Sequence, residues 1–425
     1  MGGERAETAV VVGAGLGGLC AAAALHGRVP NVVVVERDRL PAGPDARRGV
    51  PQSGQLHNLL GAAQSSLDRL FPGSVDAIVE AGGVRGRVSL DTYVYELGLR
   101  MPERDLGLSI VCAPRTVIEH TVRSMVAQLP GVRLVDATAV VGVHTEDGVA
   151  TGIKTGSGRV TAALVVDAGG ASSPFPRWLA DAGIEVPTQQ QTAHTWYGTA
   201  RYRLAAGAEP SRFLLVFPTP PRTRGGLVSP VGATEVNVSL NGVVPDDPPR
   251  DHAEFRRYAA SLEDQAIADL LATAEPVSDP TVFRRPTVVW RRYDRMAHTV
   301  AGLLPLGDSL ATLDPLHGQG VAVAATEACA LVDALDVHPQ TTAELTADYL
   351  RRAAEIIRRA WELRDPSPPA GSWWEALRDP AMAAALRDWV ARDEQAHRVY
   401  VSAWHLLQPM SELDRLRPAP GILDP

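Results

Sequence analysis

The sequence predicts an α/β fold with a doubly wound parallel sheet, an inserted mixed β-sheet and a C-terminal helical region. An apolar strand, a glycine-rich turn, a helix and a second strand fill the first 36 residues. Short alternating strands follow over residues 196–240, and the tail after residue 341 has a helical pattern. At 425 residues the chain exceeds the size at which single hydrophobic cores stop growing, so several structural regions are expected.

Composition and charge exclude several classes of function. The net charge of −8 argues against a nucleic-acid partner, because such proteins present a basic surface to the phosphates. Neither a signal-peptide pattern nor an apolar run of membrane-spanning length occurs, so we expect a cytoplasmic protein without a transmembrane segment. Cys20, Cys112 and Cys329 are widely spaced and odd in number, which predicts core residues and neither disulfides nor a metal site.

The N-terminal elements are predicted from their apolar runs and their glycines. Residues 8–12 read as a buried strand, Gly15 to Leu25 as an Ala-rich helix and Asn31 to Glu36 as a second strand. The turn between the first strand and the helix has the pattern Gly-x-Gly-x-x-Gly. This order of elements is typical of half of a nucleotide-binding fold.

Each glycine of this turn has a separate steric role. Gly13 permits the tight turn, Gly15 lets the backbone approach a pyrophosphate, and Gly18 allows the helix to pack closely on the strand. Glu36 ends the second strand, where a carboxylate accepts hydrogen bonds from ribose hydroxyls and repels a 2′-phosphate; Arg37 follows as a further cofactor contact. The turn alone does not distinguish FAD from NAD.

The middle of the chain reads mainly as strands. Short alternating segments over residues 132–163 predict a three-stranded meander that returns to a buried strand at Leu164 to Asp167. Several strands over residues 196–240 precede a helix from Asp251 to Leu271. A strand near Thr287 to Arg291 then leads to Gly307-Asp308 and to a helix that starts near Gly320.

The segment LLPLGDSLATLDPLHGQGVAVAATEACAL, residues 303–331, resembles the second flavin signature of class A flavoprotein monooxygenases. That family has a para-hydroxybenzoate-hydroxylase-type fold, and the resemblance implies a Rossmann-type FAD-binding domain of the GR2 type. It implies that Asp308 binds the ribityl chain and that the loop after it lays a helix N-terminus against the flavin. The residues implicated in this segment are Gly307, Asp308, Pro315, Gly318, Gln319 and Gly320.

Besides the glycine turn and the segment 303–331, the stretch RRGVPQSGQLHNLL at residues 47–60 carries a resemblance. It resembles the corresponding stretch of polyether and squalene-type epoxidases within this family. The resemblance implies that Arg48 and Gln52 contact the cofactor, and it brings His57 close to the flavin. Arg115 matches an arginine that opens a helix and reaches the FAD. Ala171 departs from the family pattern Asp-Ala-x-Gly-Arg-x-Ser, where arginine is usual, so the role of that loop stays open.

The resemblance also implies a division of the chain and a reaction. We expect an FAD-binding part at 1–195, a substrate-binding sheet and helix at 196–280, the return of the FAD-binding part at 281–336 and a helical cap at 337–425. In the family, reduced flavin captures O2 as a C4a-hydroperoxide and passes one oxygen atom to substrate. Electrons come from NAD(P)H or from flavin supplied by a partner reductase.

The expected reaction is epoxidation or hydroxylation of a hydrophobic small molecule such as a polyketide or terpenoid intermediate. The catalytic residues are unknown, and the polar residues singled out near the flavin are His317, Asp314, Arg201 and His57. A non-redox cyclase with FAD as a structural wall, an isoprenoid reductase and a pure binding protein remain as alternatives. A flavin halogenase is disfavoured because Lys154, the only lysine, lies away from the flavin motifs.

Overall fold

The computed structural model describes residues 7–50, 55–96, 98–205, 213–219, 222–340, 342–362, 375 and 377–416. Gln52, the Pro-rich segment 365–371 and two tryptophans of the tail, Trp373 and Trp374, lie outside these residues. The predictions made for them stay predictions.

The described strands are β1 (Thr8–Val12), β2 (Asn31–Val35), β3 (Leu56–Leu59), β4 (Val84–Arg87), β5 (Thr92–Glu96), β6 (Leu99–Arg100), β7 (Ser109–Pro114), β8 (Val132–Val135), β9 (Val140–Glu146), β10 (Val149–Thr155), β11 (Gly158–Thr161), β12 (Leu164–Asp167), β13 (Thr188–Arg203), β14 (Phe213–Val216), β15 (Gly225–Val231), β16 (Glu235–Val243), β17 (Glu275–Pro276), β18 (Thr281–Arg291), β19 (Leu303–Pro305) and β20 (Ala311–Thr312).

The described α-helices are α1 (Leu16–Leu25), α2 (Gly61–Leu70), α3 (Ser74–Glu80), α4 (Arg115–Val126), α5 (Phe175–Asp181), α6 (His252–Ala259), α7 (Ala266–Thr273), α8 (Gly320–Val337), α9 (Ala343–Trp361), α10 (Pro380–Arg392) and α11 (Glu394–Trp404). Short 3-10 turns lie at Tyr293–Arg295, Gly307–Ser309, Pro315–His317 and Met410–Leu416.

A five-stranded parallel sheet in the order β19-β12-β1-β2-β8 forms the centre of the nucleotide-binding part. Strands β12 and β19 are wholly buried, and the Val-rich strands β1 and β2 are buried over most of their length, as expected where helices cover both sides of a parallel sheet. The edge strand β8 is only partly buried. Helices α1 and α8 pack against each other on this sheet, and the alanines of α1 permit that close approach. The predicted α/β fold is confirmed.

The predicted meander starts later than the sequence indicated. Val132–Val135 forms β8 and pairs in parallel with β2, so it belongs to the central sheet. The three-stranded antiparallel sheet consists of β9, β10 and β11. Alternation alone did not show that β8 lies at the edge of a parallel sheet, because strand pairing is a tertiary property.

A second large sheet has the path β20-β18-β13-β16-β15-β14-β5-β6, with β17 paired to β13 beside it. Its centre is the long strand β13, whose two neighbours β16 and β18 run antiparallel to it. Trp196, Ala200 and Tyr202 of β13 point to one face, where they pack in a core with α6 and α7. The opposite face is therefore left to line another part of the molecule.

The helix predicted from Asp251 to Leu271 is interrupted. Asp251 accepts a hydrogen bond from the Glu254 N–H at 2.8 Å and caps α6, which ends at Ala259. Asp264 then accepts a hydrogen bond from the Ala266 N–H at 2.9 Å at the start of α7. A side-chain acceptor just before α7, inside an apolar periodic run, thus accompanies the break between the two helices.

Helices α10 and α11 form a separate apolar core with Met101, Met410 and Leu413. Tyr400 of this core donates a hydrogen bond of 2.8 Å to Glu96 at the end of β5, so the helical region is tied to the edge of the large sheet. No described helix combines the length and the apolarity needed to cross a bilayer. The four-part division of the chain stays a prediction.

Candidate FAD and substrate site

The glycine turn has the geometry that its sequence pattern predicted. Gly13 has φ +104°, and a Cβ there would crowd the backbone of Ala168. A Cβ on Gly18 would overlap the carbonyl of Gly13, which explains the close packing of α1 on β1. Gly15 caps α1, and the nearest neighbour of a Cβ built on it is the Arg47 side chain at 3.9 Å. The backbone of this turn is thus open to a ligand at the N-terminus of a helix.

Glu36 is buried, and each of its carboxylate oxygens accepts a backbone hydrogen bond. One carboxylate oxygen accepts the Ala14 N–H at 2.8 Å, and the other accepts the Asp38 N–H at 3.0 Å. The Arg47 guanidinium lies 3.0 Å from Glu36 and 2.7 Å from Glu119 of α4. Burial opposes the charge of Arg47, but the bonds to Glu119 and Glu36 raise its pKa above the ordinary value.

Arg47 was not identified from the sequence, which favoured its neighbour Arg48. Both arginines line the same cavity, as does Arg37, but Arg48 is exposed and Arg47 is buried among carboxylates. The acidic partners of Arg47 at 36 and 119 come from distant parts of the chain, so the pairing had no local signal. The structure thus makes Arg47 the central cation of this cluster.

Arg115 and His57 lie next to this cluster. Arg115 begins α4, lines the cavity and has a buried Nε without a hydrogen-bond partner among the described residues, 3.8 Å from the Glu119 carboxylate. Burial lowers the pKa of the Arg115 guanidinium. Burial and then the nearby Arg115 charge lower the pKa of His57 to about 3, so His57 is neutral at physiological pH. A buried arginine with unsatisfied donor capacity is suited to phosphate or carbonyl oxygens.

The Gly307-Asp308 turn is held from behind by α8. The Gly307 N–H donates to the buried Glu327 carboxylate at 2.6 Å, and Asp308 faces the cavity. Burial raises the pKa of Glu327 to about 8, and the Gly307 bond opposes this rise. The turn that presents Asp308 is therefore fixed by a buried acid that the sequence analysis did not single out.

The loop before α8 also lines the cavity. Pro315, Gly318 and Gly320 face it, and a Cβ on either glycine would meet no neighbouring atom within 4 Å, so space lies beside this backbone. The prediction for Gln319 concerns its backbone N–H and stays a prediction; its side chain is buried and donates to the Trp404 carbonyl at 3.3 Å. It is turned toward α11 because that helix covers the loop, a packing contact that the motif does not encode.

Asp314, one of the polar residues singled out near the flavin, caps a turn. It is buried and accepts the Leu316 N–H at 3.0 Å, which caps the turn at Pro315–His317. His317 lines the cavity 5.5 Å from the Trp404 ring, and burial lowers its pKa to about 4. Its Nδ1 has no hydrogen-bond partner within the part of the chain that the structure describes.

Arg201 is the residue whose placement contradicts the expectation. Its side chain is half exposed, lies 4.0 Å from Glu235 and does not line the cavity. Tyr197, four residues earlier on β13, does line the cavity. At ~3.3 Å per residue, a strand carries Arg201 about 13 Å beyond that point.

Arg291 joins two loops of the site and was also missed. Its guanidinium donates to the Ala171 carbonyl at 2.8 Å and to the carbonyls of Asp308 and Ser309 at 3.1 and 2.9 Å. The side chain of an arginine from β18 thus spans the Asp167–Ala171 loop and the Gly307–Ser309 turn. Ala171 lacks the usual family arginine, and Arg291 supplies a guanidinium to the backbone of the same loop.

One cavity of about 690 Å³ connects these elements, within the ~300–1,000 Å³ range of ligand pockets. We call its polar end, formed by the turn 13–18, Glu36, Arg47 and Arg115, the dinucleotide cradle. The other end lies between the free face of the large sheet and α11, and we call it the apolar chamber. Its lining includes Val88, Val94, Met101, Ile110, Tyr197, Leu215, Phe217, Leu227, Phe283, Tyr400, Val401 and Trp404.

The chain matches the family described as FAD binding domain over residues 6–363. It belongs to this family. Together with the glycine turn and the open backbone at Gly318 and Gly320, this identifies the chain as an FAD-dependent oxidoreductase of the class A flavoprotein type. The epoxidase subgroup indicated by residues 47–60 stays a hypothesis.

Comparison with known proteins gives relatives over nearly the whole chain. Protein Rv3254 of Mycobacterium tuberculosis is 28% identical over 458 residues, which cover 99% of this chain and 92% of the relative. PqsL of Pseudomonas aeruginosa, a probable FAD-dependent monooxygenase, has a similar fold with TM-score 0.63 and 19% identity, covering 88% of this chain and 97% of PqsL. The Diels-Alderase PyrE3 of pyrroindomycin biosynthesis also has TM-score 0.63 and 19% identity, covering 94% and 80%.

Proposed function

We propose that this protein is an FAD-dependent monooxygenase that adds one oxygen atom of O2 to a hydrophobic small molecule, a polyketide or terpenoid intermediate. The observation that carries the proposal is the single cavity in which the dinucleotide cradle opens into the apolar chamber. A flavin and an apolar substrate held in one cavity are brought into contact away from bulk water. Electrons come from NAD(P)H directly or from flavin reduced by a partner reductase.

The cradle residues fit FAD. The N–H groups at the start of α1 suit the pyrophosphate, and Glu36 suits the adenosine ribose. Arg115, whose buried Nε has no hydrogen-bond partner among the described residues, suits a phosphate or flavin oxygen. Arg37, Arg48, Gly307, Asp308, Pro315, Gly318 and Gly320 face the cavity along the remaining length of the cofactor. Bound FAD supplies electron transfer and oxygen activation.

Both described histidines beside the flavin loop are uncharged. Burial keeps His57 and His317 neutral near pH 7, with pKa values of about 3 and 4. Helix α8 begins at Gly320, and its N-terminal N–H groups favour negative charge on a reduced flavin. Phe217, Phe283 and Leu227 line the cavity with apolar surface, which disfavours water there. The balanced reaction consumes substrate, O2, NAD(P)H and a proton, and yields oxygenated product, water and NAD(P)+.

A non-redox cyclase is the second candidate function. Ala171 in place of the usual arginine motivates it, and PyrE3 is a Diels-Alderase on the same fold. In such an enzyme the flavin shapes the chamber and exchanges no electrons. An isoprenoid reductase on this fold would need reductant but no O2.

The test incubates purified holoprotein with a panel of polyketide and terpenoid substrates, with and without NAD(P)H and isotopically labelled O2. Monooxygenation predicts substrate-dependent NAD(P)H oxidation and one labelled oxygen atom in the product. Product formation under nitrogen without reductant would instead identify a cyclase. Saturated product formed with reductant under nitrogen would identify a reductase.

A further inference from the structure

The apolar chamber contains a carboxylic acid that the proposed reaction does not use. Glu96 ends β5 at the far side of the large sheet, is 8% exposed and lines the cavity. One of its oxygens accepts the Tyr400 hydroxyl at 2.8 Å. Within the described ranges, this is the hydrogen bond that the carboxylate receives.

The surroundings of Glu96 are mainly apolar. Val94, Met101 and Val401 line the same part of the chamber. Among titratable neighbours, His397 of α11 also lines the chamber, and burial followed by the Arg104 charge lowers its pKa to about 4. It therefore carries no positive charge near neutral pH. Burial raises the pKa of Glu96 to about 7, with the Tyr400 bond opposing the rise.

A lone acid in an apolar cavity is destabilising unless a donor satisfies it. Tyr400 satisfies one oxygen only, so the pair leaves acceptor capacity directed into the space where substrate would lie. A role limited to fastening α11 to β5 would be met by this single bond. Such a role does not need the carboxylate to border the cavity.

Aromatic contacts connect this acid to the flavin loop. His317 is 5.5 Å from the Trp404 ring, and Trp404 is 6.4 Å from the Tyr400 ring. Phe217 stacks on Trp404 from the large sheet at 6.1 Å. An apolar molecule that lies along Trp404 can thus have one end beside the flavin loop and the other at Glu96.

We propose that Glu96, oriented by Tyr400, determines substrate specificity by binding a hydrogen-bond donor of the substrate, a hydroxyl or amino group, and by excluding carboxylates. This inference rests on the proposed function, because the molecule bound is its substrate. It narrows the substrate class to apolar molecules with a hydroxyl or amino group remote from the carbon that is oxygenated. Glu96 is a binding residue in this scheme and Tyr400 a positioning residue.

The test measures binding of four compounds with the same apolar body: naphthol, naphthylmethylamine, naphthoate and naphthalene. Each is titrated into the oxidised holoprotein at about pH 8.5, where an acid with pKa near 7 is ionised, and the dissociation constant is read from the flavin absorption spectrum. Charge-assisted hydrogen bonds predict that the hydroxyl and amino compounds bind about tenfold or more tighter than naphthoate. In Glu96→Gln, naphthoate gains affinity, the amine loses it, and the difference falls to about threefold or less.

Two further variants separate recognition from folding. Glu103→Gln removes an exposed acid on the same segment and keeps the wild-type order of affinities. Tyr400→Phe keeps the Glu96 carboxyl but removes the hydrogen bond that orients it. The preference for the amine over naphthoate therefore falls below that of the wild type without reaching the ratio of Glu96→Gln, whatever the change in melting temperature. Equal affinities for naphthoate and the amine in the wild type overturn the proposal. So does an unchanged ratio in Glu96→Gln, or failure of all four compounds to bind the flavin-loaded protein.

This binding assay requires no turnover. A protein that selects the amino and hydroxyl compounds through Glu96 but incorporates no oxygen keeps the specificity proposal and refutes the monooxygenase proposal. Oxygen incorporation without this selectivity supports the monooxygenase proposal and refutes the specificity proposal.

Discussion

The dinucleotide cradle and the apolar chamber are two ends of one cavity, and they treat buried charge in opposite ways. In the cradle, Arg47 is shared by the carboxylates of Glu36 and Glu119 at 3.0 and 2.7 Å. In the chamber, burial shifts the pKa values of Glu96 and His397 toward their neutral forms. The cradle thus pairs its buried charges, whereas the described residues of the chamber give Glu96 and His397 no ion-pair partner. Such a chamber favours an apolar substrate with few polar groups.

A side chain added at the glycine turn should strongly weaken FAD binding in the dinucleotide cradle. Gly13→Ala places a Cβ against the Ala168 backbone at a residue with φ +104°, and we expect bound FAD per chain to fall about tenfold or more. The flavin content of purified protein measures this. Gly27→Ala is the matched control, because Gly27 has φ +74° but no atoms within 4 Å of its Cβ position. Retention of full FAD by Gly13→Ala would contradict the steric role of the turn.

Removing the shared cation should affect the stability of the fold as well as FAD binding. Arg47→Met leaves two buried carboxylates without their common partner, and breaking a buried pair costs about 3–5 kcal/mol. We expect a lower free energy of unfolding and weaker FAD binding, measured by denaturant titration and flavin release. Arg69→Met removes an exposed pair with Asp333, for which the expected loss is about 1 kcal/mol or less. Equal losses of unfolding free energy in the two variants would show that the buried ion cluster of Arg47 contributes no more stability than an exposed ion pair.

Glu327 provides a pH-dependent test of the support behind the flavin loop. Its folded pKa is raised to about 8, so the folded protein holds a proton that the unfolded chain releases at lower pH. The stability that this proton contributes is present below the unfolded pKa and is lost as the pH rises through about 8.

Glu327→Gln keeps an acceptor for the Gly307 N–H and removes this titration. We expect the variant to gain stability relative to wild type as the pH is raised from about 5 to about 9. Denaturant titrations across that range measure the difference. Glu355→Gln on α9 alters an exposed acid and should show a constant difference. Parallel stability curves for Glu327→Gln and wild type would refute the pKa rise.

The smallest effect is expected at Arg201, which lies at neither end of the cavity. Its side chain is half exposed and approaches Glu235 only to 4.0 Å. Arg201→Ala should therefore change the free energy of unfolding by about 0.5 kcal/mol or less and leave FAD content unchanged. A loss of flavin or of turnover in this variant would show that the large sheet transmits effects along β13.

Much of the cradle could be predicted because its signals are local. The tight turn at Gly13, the close helix packing at Gly18 and the Glu36 carboxylate fall within a single strand-turn-helix-strand unit, while the ribose contact of Glu36 stays a proposal. Gly307 and Asp308 likewise sit in one short turn. The residues that complete the site are not local. Arg291 reaches the Ala171 carbonyl across 120 residues of sequence, and no pattern in either segment indicates that contact.

The sequence by itself determined the parallel sheet, the FAD signature and the loop before α8, because glycine sterics and strand periodicity act over a few neighbouring residues. Only the tertiary structure decided which side chains share the cavity. Arg47 is the buried cation because the fold places it beside Glu119, 72 residues away in sequence. The fold likewise places Tyr400 beside Glu96, 304 residues away. Burial and pairing of charge depend on which elements pack together, and this is the property that composition and spacing leave undetermined.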